Sequence, residues 1–284
     1  ISPDVATCPA CCSELFDPSD RRYRYPFTNC TYCGPRFTII DNLPYDRPRT
    51  TMASFQLCEA CAQEYGDPED RRFHAQPVAC SDCGPVVWYT EKEDCFGPGR
   101  ETPTGDGAIA AAIRCLNRAG ILALKGLGGF YLCCRAEDAE AVGRLRTSKF
   151  RPSKPLAVMV RTIAEAEIFC RVDRVEAALL EALEAPITLL RKRQDVNGLA
   201  PEIAPQNGYV GVMLPYTPLH HLLMAAAKGP LVMTSGNPSG EPLCTENVEA
   251  RERLAGLVDG FLFHDRPIAR RCDDSVMFVA GLPD

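Results

Sequence analysis

The stretch "CTYCGP" at residues 30–35 returns as "CSDCGP" at residues 80–85, and the meaning of that repeat decides how the opening part of the chain folds. A second cysteine pair precedes each copy. Cys8, Cys11, Cys30 and Cys33 therefore spell C-x2-C-x18-C-x2-C, and Cys58, Cys61, Cys80 and Cys83 spell it again. "DPSDRRY" (17–23) likewise returns as "DPEDRRF" (67–73), always at an offset of 50 residues, so this is a duplicated module. Two thiolate pairs joined by such a loop can fold back to surround one zinc ion tetrahedrally, at about 2.3 Å per sulfur. Disulfides are the competing use of these eight cysteines, and the strict repetition of the spacing argues against them. A closed four-sulfur site leaves zinc no open position, so both ions are expected to be structural. Gly34 and Gly84 follow the second knuckles, where a tight turn would bring backbone amides toward the sulfurs.

The chain has sixteen cysteines, and the other eight (Cys12, Cys95, Cys115, Cys133, Cys134, Cys170, Cys244 and Cys272) follow no ligand spacing. They read as small core residues, and that many free thiols point to a reducing cytoplasm. At 284 residues, 46% hydrophobic and 24% charged, the chain can bury a sizeable core in one or two domains. The most apolar stretch, "HHLLMAAAKGPLVM", is interrupted by His220, His221, Lys228, Gly229 and Pro230. It falls short of the roughly 18 uninterrupted residues of a membrane span. No targeting peptide is visible; the chain opens at Ile1 rather than Met and closes in "VAGLPD" just after an expected strand, so a piece of a longer protein is expected.

Charge weighs against nucleic acid as a partner. Residues 1–92 hold 9 Lys and Arg against 13 Asp and Glu, a balance of −4, and eight thiolates on two zinc ions would deepen it. Phosphate backbones call for a basic stripe instead. The repeated "RR" pairs are the exception in this half. Arg21, Arg22, Arg71 and Arg72 either bind a ligand or pair with Asp17, Asp20, Asp67 and Asp70. His74 stands where the first repeat has Arg24, which reads as a surface histidine with a substrate channel as the alternative.

A Gly-, Pro- and Thr-rich stretch, residues 93–105, is expected to be a linker between a zinc domain at 1–92 (modules about 8–33 and 58–83) and a second domain at 106–284. Beyond it, helices and strands alternate. Helices are expected at 105–120 with Asp106 as cap, at 138–148, from a Thr162/Glu165 capping box, and near 173–185, 218–227 and 246–255. Strands are expected at 121–125, 131–134, 155–160, 187–192, 209–215, 230–234, 260–265 and 275–280. That order gives an α+β, or mixed α/β, fold around one large twisted mixed sheet. Neither a dinucleotide-binding nor a Walker glycine loop is present, and "KGLGGF" (125–130) specifies nothing alone.

Three polar clusters stand out. "SKFRPSKP" (148–155) spaces Lys149, Arg151 and Lys154 on a segment stiffened by Pro152 and Pro155, which suits a polyphosphate or an ordinary solvated loop equally well. "MTSGNPSGEP" (233–242) offers Thr234, Ser235, Asn237 and Ser239 as hydroxyl and amide groups at a strand end. "HDRPIARRCDDSV" (264–276) sets Arg266, Arg270 and Arg271 beside Asp273 and Asp274, which form either an internal ion-pair network or a Mg²⁺ site.

"LRTSKFRPSKPLAVMV" followed by "PLVMTSGNPSG" resembles the YrdC-like family, the threonylcarbamoyl-adenylate synthases, with its K-x-R signature at Lys149/Arg151 and S-x-N at Ser235/Asn237. The duplicated four-cysteine modules, with "YRYPFTNCTYCGPRFTII", "PYDRP" and "RRFHAQPVACSDCGP", look like those of the HypF family of hydrogenase-maturation carbamoyltransferases. The resemblance runs from Cys8 to Val279. It implies two small four-cysteine zinc-finger modules followed by a YrdC-like domain. It also implies an acylphosphatase-like domain before this piece, which turns carbamoyl phosphate into carbamate, and a carbamoyl-transfer domain after it, which passes the carbamoyl group to the C-terminal cysteine of a HypE-type acceptor.

The piece itself would join carbamate to ATP, with Mg²⁺, as carbamoyl-adenylate, releasing pyrophosphate, and alone would catalyse only that partial reaction. On this basis Lys149 and Arg151 are the expected catalytic residues. Lys125, Lys154, Thr234, Ser235, Asn237, Arg271 and Asp274 are expected to bind ATP or substrate. One departure matters: "KGLGGFYLCC" replaces the P-T-[DE]-T-x-Y-G-L type segment of the threonylcarbamoyl synthases, which favours bare carbamate over threonine. The rival readings are an O-carbamoyltransferase of a small molecule, an RNA-binding YrdC-like zinc protein, and a docking platform for the acceptor.

Overall fold

The computed structural model describes residues 2–93, 102–193 and 198–280. Cys95 and most of the expected linker lie outside them. In each zinc module the first knuckle opens a short helix, α1 (Pro9–Phe16) or α2 (Glu59–Gly66), with Cys8 or Cys58 in extended backbone just ahead of it. The second knuckle is a turn, Cys33 N–H donating to the Cys30 carbonyl at 3.4 Å and Cys83 N–H to that of Cys80 at 3.2 Å. The two glycines after these turns serve different needs. Gly34 adopts a φ of +100°, whereas a Cβ at Gly84 would lie 2.0 Å from the Tyr25 hydroxyl.

The remaining elements build one sheet. In chain order they are β1 (Val87–Glu91), α3 (Gly105–Asn117), β2 (Leu122–Lys125), β3 (Phe130–Arg135), α4 (Ala139–Ser148), β4 (Val158–Met159), α5 (Ile163–Phe169), α6 (Arg174–Leu180), β5 (Ile187–Arg191), β6 (Tyr209–Met213), α7 (Pro218–Ala227), β7 (Leu231–Ser235), α8 (Asn247–Leu254), β8 (Gly260–His264) and β9 (Val276–Met277). The nine strands lie in the order β1-β8-β2-β3-β7-β4-β6-β5-β9, with β2/β8, β4/β6 and β5/β9 parallel and the other pairs antiparallel. The expected mixed sheet is therefore present. Among the described residues no helix is long and apolar enough to cross a membrane.

Alternation along the strands explains both faces of the sheet. Phe130, Leu132, Phe261 and Phe263 point into one core, with residues of α4 and α8. Tyr131, Cys133 and Leu262 point into the other, with residues of α3 and α7. That second core also takes Leu15, Tyr25, Phe27, Ile39 and Met52 from the zinc modules, and β1 pairs with β8 at the sheet edge. The zinc half thus packs on the sheet and contributes a strand to it, one that alternation alone did not reveal.

Several local expectations need correction. Thr104, not Asp106, precedes α3; Asp106 lies in its first turn and accepts from Arg24 Nε at 2.6 Å. Thr162 Oγ1 accepts from Glu165 N–H at 3.3 Å, but the Glu165 carboxylate reaches back to Arg161 N–H, so the capping box is only half made. The run 155–160 pairs only at Val158 and Met159, because Pro155 has no N–H and Leu156 N–H turns to the Ile203 carbonyl. The strand expected at 275–280 shrinks to two exposed residues, and the helix near 173–185 ends at Leu180.

The paired arginines do not form ion pairs with their own Asp neighbours; they cross to the other module. Arg22 pairs with Glu64 and donates through Nε to the Ala79 carbonyl at 2.9 Å, while Arg72 pairs with Glu14 and donates to the Asn29 carbonyl at 3.1 Å. Arg21 Nη2 lies 2.7 Å from Cys61 Sγ, and Arg71 Nη2 lies 2.9 Å from Cys11 Sγ. Each module therefore supplies a guanidinium to the other's sulfurs. Asp20 and Asp70 serve the turn instead, accepting from the backbone N–H of Arg22 and Arg72 at 2.7 Å each. Because Arg22 is 1% exposed, Arg22→Ala leaves the Ala79 carbonyl without its partner and Glu64 with only Arg21, 3.8 Å away. It should lower stability by about 3 kcal/mol in urea unfolding; an unchanged midpoint would contradict the crossed brace.

Candidate active site

Helix α4 is capped at its start by Asp138, whose carboxylate accepts from Ala141 N–H at 3.0 Å. Its end decides the site. Phe150 takes a positive φ of 48°, and Arg151 N–H folds back to the Arg146 carbonyl at 3.0 Å, closing the helix in a left-handed turn. The turn sends Lys149 inward and leaves the Phe150 ring 83% exposed. Arg146 then secures the loop, donating to the carbonyls of Arg151 at 2.6 Å, Lys154 at 3.2 Å and Ile203 at 3.1 Å. The sequence pointed to Pro152 and Pro155 as the stiffening element; Arg146 adds two hydrogen bonds to that loop while it is itself anchored on the Glu202 and Ile203 carbonyls.

Lys149 reaches across to the end of β7. Its ammonium donates to the Ser235 carbonyl, to Ser235 Oγ at 3.2 Å, and to the carbonyl and Oδ1 of Asn237 at 3.1 and 3.0 Å. The Asn237 amide nitrogen donates to the Glu241 carbonyl, which fixes Oδ1 toward the lysine. Burial and then the neighbouring Arg151 draw Lys149 down to about 7. Four surrounding oxygens favour the ammonium, so the charge is satisfied inside the wall. Arg151 Nη1 donates to Thr234 Oγ1 at 3.1 Å and Nη2 to the Pro155 carbonyl at 2.8 Å, while its Nε has no partner.

A cleft of about 470 Å³ opens beside them, its wall including Arg151, Lys154, Thr234, Ser235, Tyr131 and Asp274; Lys149 and Asn237 stand behind that wall rather than in it. That volume suits a nucleotide-sized ligand. Most of the expected binding residues thus come together. Lys125 does not: it lies in a separate cavity of about 30 Å³ with Phe27, His264 and Arg266, against the zinc modules. Its ammonium donates to the His264 carbonyl at 3.1 Å, and burial draws it down to about 8. Arg271 is exposed and donates through Nε to the Leu243 carbonyl at 2.6 Å. Both Asp274 oxygens face tyrosine hydroxyls, Tyr131 at 2.8 Å and Tyr216 at 3.1 Å, which leaves Asp273 as the open carboxylate of the pair. His74 is exposed, its ring against Tyr65 and Phe73, as a surface histidine would be.

Sequence reasoning missed Tyr131, Tyr216, Arg146 and the glutamates of the crossed brace. Glu14 and Glu64 carried a usable signal, since they obey the same 50-residue offset as the cysteines. The two tyrosines carried none, because 85 residues separate them.

The two four-cysteine clusters fit zinc. Within each, all four sulfurs lie within 4.8 Å of one another, and neighbouring sulfurs are 3.6–3.8 Å apart in the first cluster and 3.7–3.8 Å in the second. A regular tetrahedron with bonds of about 2.3 Å has edges of about 3.8 Å. The Arg21 and Arg71 donors would offset the excess negative charge of such a centre.

Comparison with known proteins agrees with this geometry. The Sua5/YciO/YrdC profile, described as "Telomere recombination", matches residues 114–283, and the HypF finger profile matches residues 7–40 and 57–90. The chain belongs to the Sua5/YciO/YrdC family, in the form that carries HypF fingers.

Among named HypF relatives, the carbamoyltransferase HypF of a Synechocystis species is 56% identical over 284 residues, spanning 100% of this chain and 36% of the relative. The probable carbamoyltransferase HypF of Methanocaldococcus jannaschii is 46% identical, spanning 98% of this chain and 35% of the relative. A crystal structure of full-length HypF in the phosphate- and nucleotide-bound form superposes with a TM-score of 0.90 at 49% identity, spanning 98% of this chain and 35% of that one. The chain therefore spans little more than a third of these HypF proteins. A bovine threonylcarbamoyl-AMP synthase is 30% identical over 157 residues, 54% of this chain and 56% of that enzyme.

Lys125 yields a test of the second cavity. Its pKa falls from 10.5 in the unfolded chain to about 8 in the folded one, so between those values the unfolded state binds more protons and stability rises with pH. Wild type should gain about 2 kcal/mol over Lys125→Met between about pH 7 and about pH 10 in urea unfolding. Parallel pH dependences in the two proteins would contradict the burial of that charge.

Proposed function

We propose that this chain carries the activating step of a carbamoyl transfer: carbamate, derived from carbamoyl phosphate, attacks the α-phosphorus of ATP to give carbamoyl-adenylate and pyrophosphate. The observation that carries the reading is the cleft itself. Arg151 and Lys154 border it together with Thr234 and Ser235 at the end of β7, the Arg151 guanidinium in hydrogen-bond contact with the Thr234 hydroxyl. The relatives, a carbamoyltransferase over the whole chain and a threonylcarbamoyl-AMP synthase over part of it, support the same chemistry.

Carbamate is itself the nucleophile, so no protein nucleophile is required. What the reaction needs is fixed positive charge for two anions that repel each other and for the pyrophosphate that departs. Arg151 supplies a guanidinium with only two of its N–H groups engaged, and Lys154 an exposed ammonium at the rim. Lys149, held by Ser235 and Asn237, keeps the two loops in register and adds charge behind them. Mg²⁺ would enter with the nucleotide. Thr234 and Ser235 would orient the α-phosphate or the ribose.

In this reading the zinc domain, about residues 1–92, is a structural wall, and the second domain, about 106–284, does the chemistry. The wider protein would include acylphosphatase-like and carbamoyl-transfer domains and would deliver the carbamoyl group to a HypE-type acceptor.

Pyrophosphate release that depends on carbamate tests the proposal. Arg151→Ala should lower kcat/KM about a hundredfold and Ser235→Ala about tenfold, with unfolding midpoints close to wild type. Near-normal rates in both variants would overturn the assignment.

A further inference from the structure

Tyr131, on β3, and Tyr216, in the loop between β6 and α7, meet Asp274, which lies ahead of β9, in a closed triangle of oxygens. The two hydroxyls are 2.5 Å apart, Tyr131 Oη is 2.8 Å from Asp274 Oδ2, and Tyr216 Oη is 3.1 Å from Asp274 Oδ1. Three contacts at these distances require three protons, and two tyrosines supply only two. If both hydroxyls donated to an ionised Asp274, the 2.5 Å contact between them would hold no proton, and two oxygens would face each other through lone pairs. A tyrosinate is no remedy, because burial drives both phenols well above their ordinary range.

We propose that Asp274 is a positioning residue that stands in the cleft wall as a carboxylic acid, closing a three-proton ring with Tyr131 and Tyr216. Tyr131 donates to Asp274 Oδ2, Tyr216 donates to Tyr131, and Asp274 Oδ1–H donates to Tyr216. Every proton has one acceptor: Asp274 Oδ2, Tyr131 Oη and Tyr216 Oη each receive one, and Asp274 Oδ1 carries the acid proton.

The surroundings favour this state. Burial raises Asp274 from its ordinary value and the charge of the adjacent Asp273 adds to it; the hydrogen bonds from Tyr131 and Tyr216 pull the other way, and burial prevails. From α7, His220 packs behind both rings, 4.7 Å from Tyr216 and 5.9 Å from Tyr131 between ring centres. Burial drives it down to about 3, so it brings no cation. Asp4, from the N-terminal segment, acts on Tyr216 as a further negative charge. Arg151 shares the cleft, but its guanidinium is turned to Thr234 and Pro155. The local charges that face the ring are thus negative or absent.

This inference rests on the function proposed above for its consequence. A cleft that must hold ATP and carbamate together gains from a wall that is polar yet uncharged. An ionised Asp274 there would repel both anions, and a carboxylic acid does not. It also means that Asp274 has no free lone-pair pocket for Mg²⁺.

Two measurements test it. Infrared difference spectra of wild type against Asp274→Asn at neutral pH should contain the C=O stretch of a protonated carboxylic acid, and the band should vanish as the pH is raised. A difference spectrum with carboxylate bands only would overturn the proposal, whatever the chain's function. Calorimetric titration with ATP supplies the second. Tyr131→Phe breaks the ring and frees Asp274 to ionise, so affinity should fall about tenfold at mildly alkaline pH. Adding Asp274→Asn to Tyr131→Phe should restore most of that loss, which a purely structural role of the tyrosine would not do. Losses that simply add in the double variant would overturn it. If wild type binds ATP but releases no pyrophosphate with carbamate, the function proposed above fails while the carboxyl band still judges the ring.

Discussion

A buried ammonium with four oxygen neighbours holds together two loops that lie 86 residues apart in the chain. Lys149 is 4% exposed, so each of those contacts replaces water that it has lost. The left-handed turn at Phe150 points it inward, and the Arg146 staple keeps the following loop from moving away. Once those two loops are tied, Arg151 and Lys154 face the hydroxyls at the end of β7 without further adjustment. The cleft is therefore built before any ligand arrives, and little ordering is left to offset on binding. The lysine that the sequence marks most clearly thus acts through the loops it joins.

The zinc half obeys a similar logic of exchange. Each module orders the other's arginine pair, with one glutamate shared by both guanidiniums and a thiolate close to the first of them. Neither module is complete alone. The pair then shares a core with the sheet through Phe27, Tyr25 and Met52, and β1 extends the sheet's edge. Zinc binding in one module and packing of the sheet are thereby linked through contiguous side chains.

Much of this was legible in the sequence, because some constraints are local. Cysteine spacing defined both metal clusters, since a tetrahedron of sulfurs admits few loop lengths. Alternating apolar residues located most strands within a residue or two, and the sheet's mixed character followed from their order. The K-x-R and S-x-N signatures named the residues of the clasp through resemblance to a family, although spacing alone left "SKFRPSKP" undecided between a loop and a phosphate grip. What remained hidden depends on contacts across the chain. Asp106 looked like a cap until Arg24, 82 residues away, was found to hold it. The arginine pairs looked intramodular because their Asp neighbours were adjacent in sequence. Tyr131 and Tyr216 belong to no motif, and only the fold brings their hydroxyls together.

The central claim is that the cleft between the Lys149–Lys154 loop and the end of β7 receives ATP for adenylate formation. A crystal structure of this chain with a non-hydrolysable ATP analogue and Mg²⁺ tests it most directly. The account predicts phosphate oxygens within hydrogen-bond reach of the Arg151 guanidinium and Ser235, with Lys149 still seated between Ser235 and Asn237. Nucleotide bound elsewhere, with that cleft empty, would contradict it.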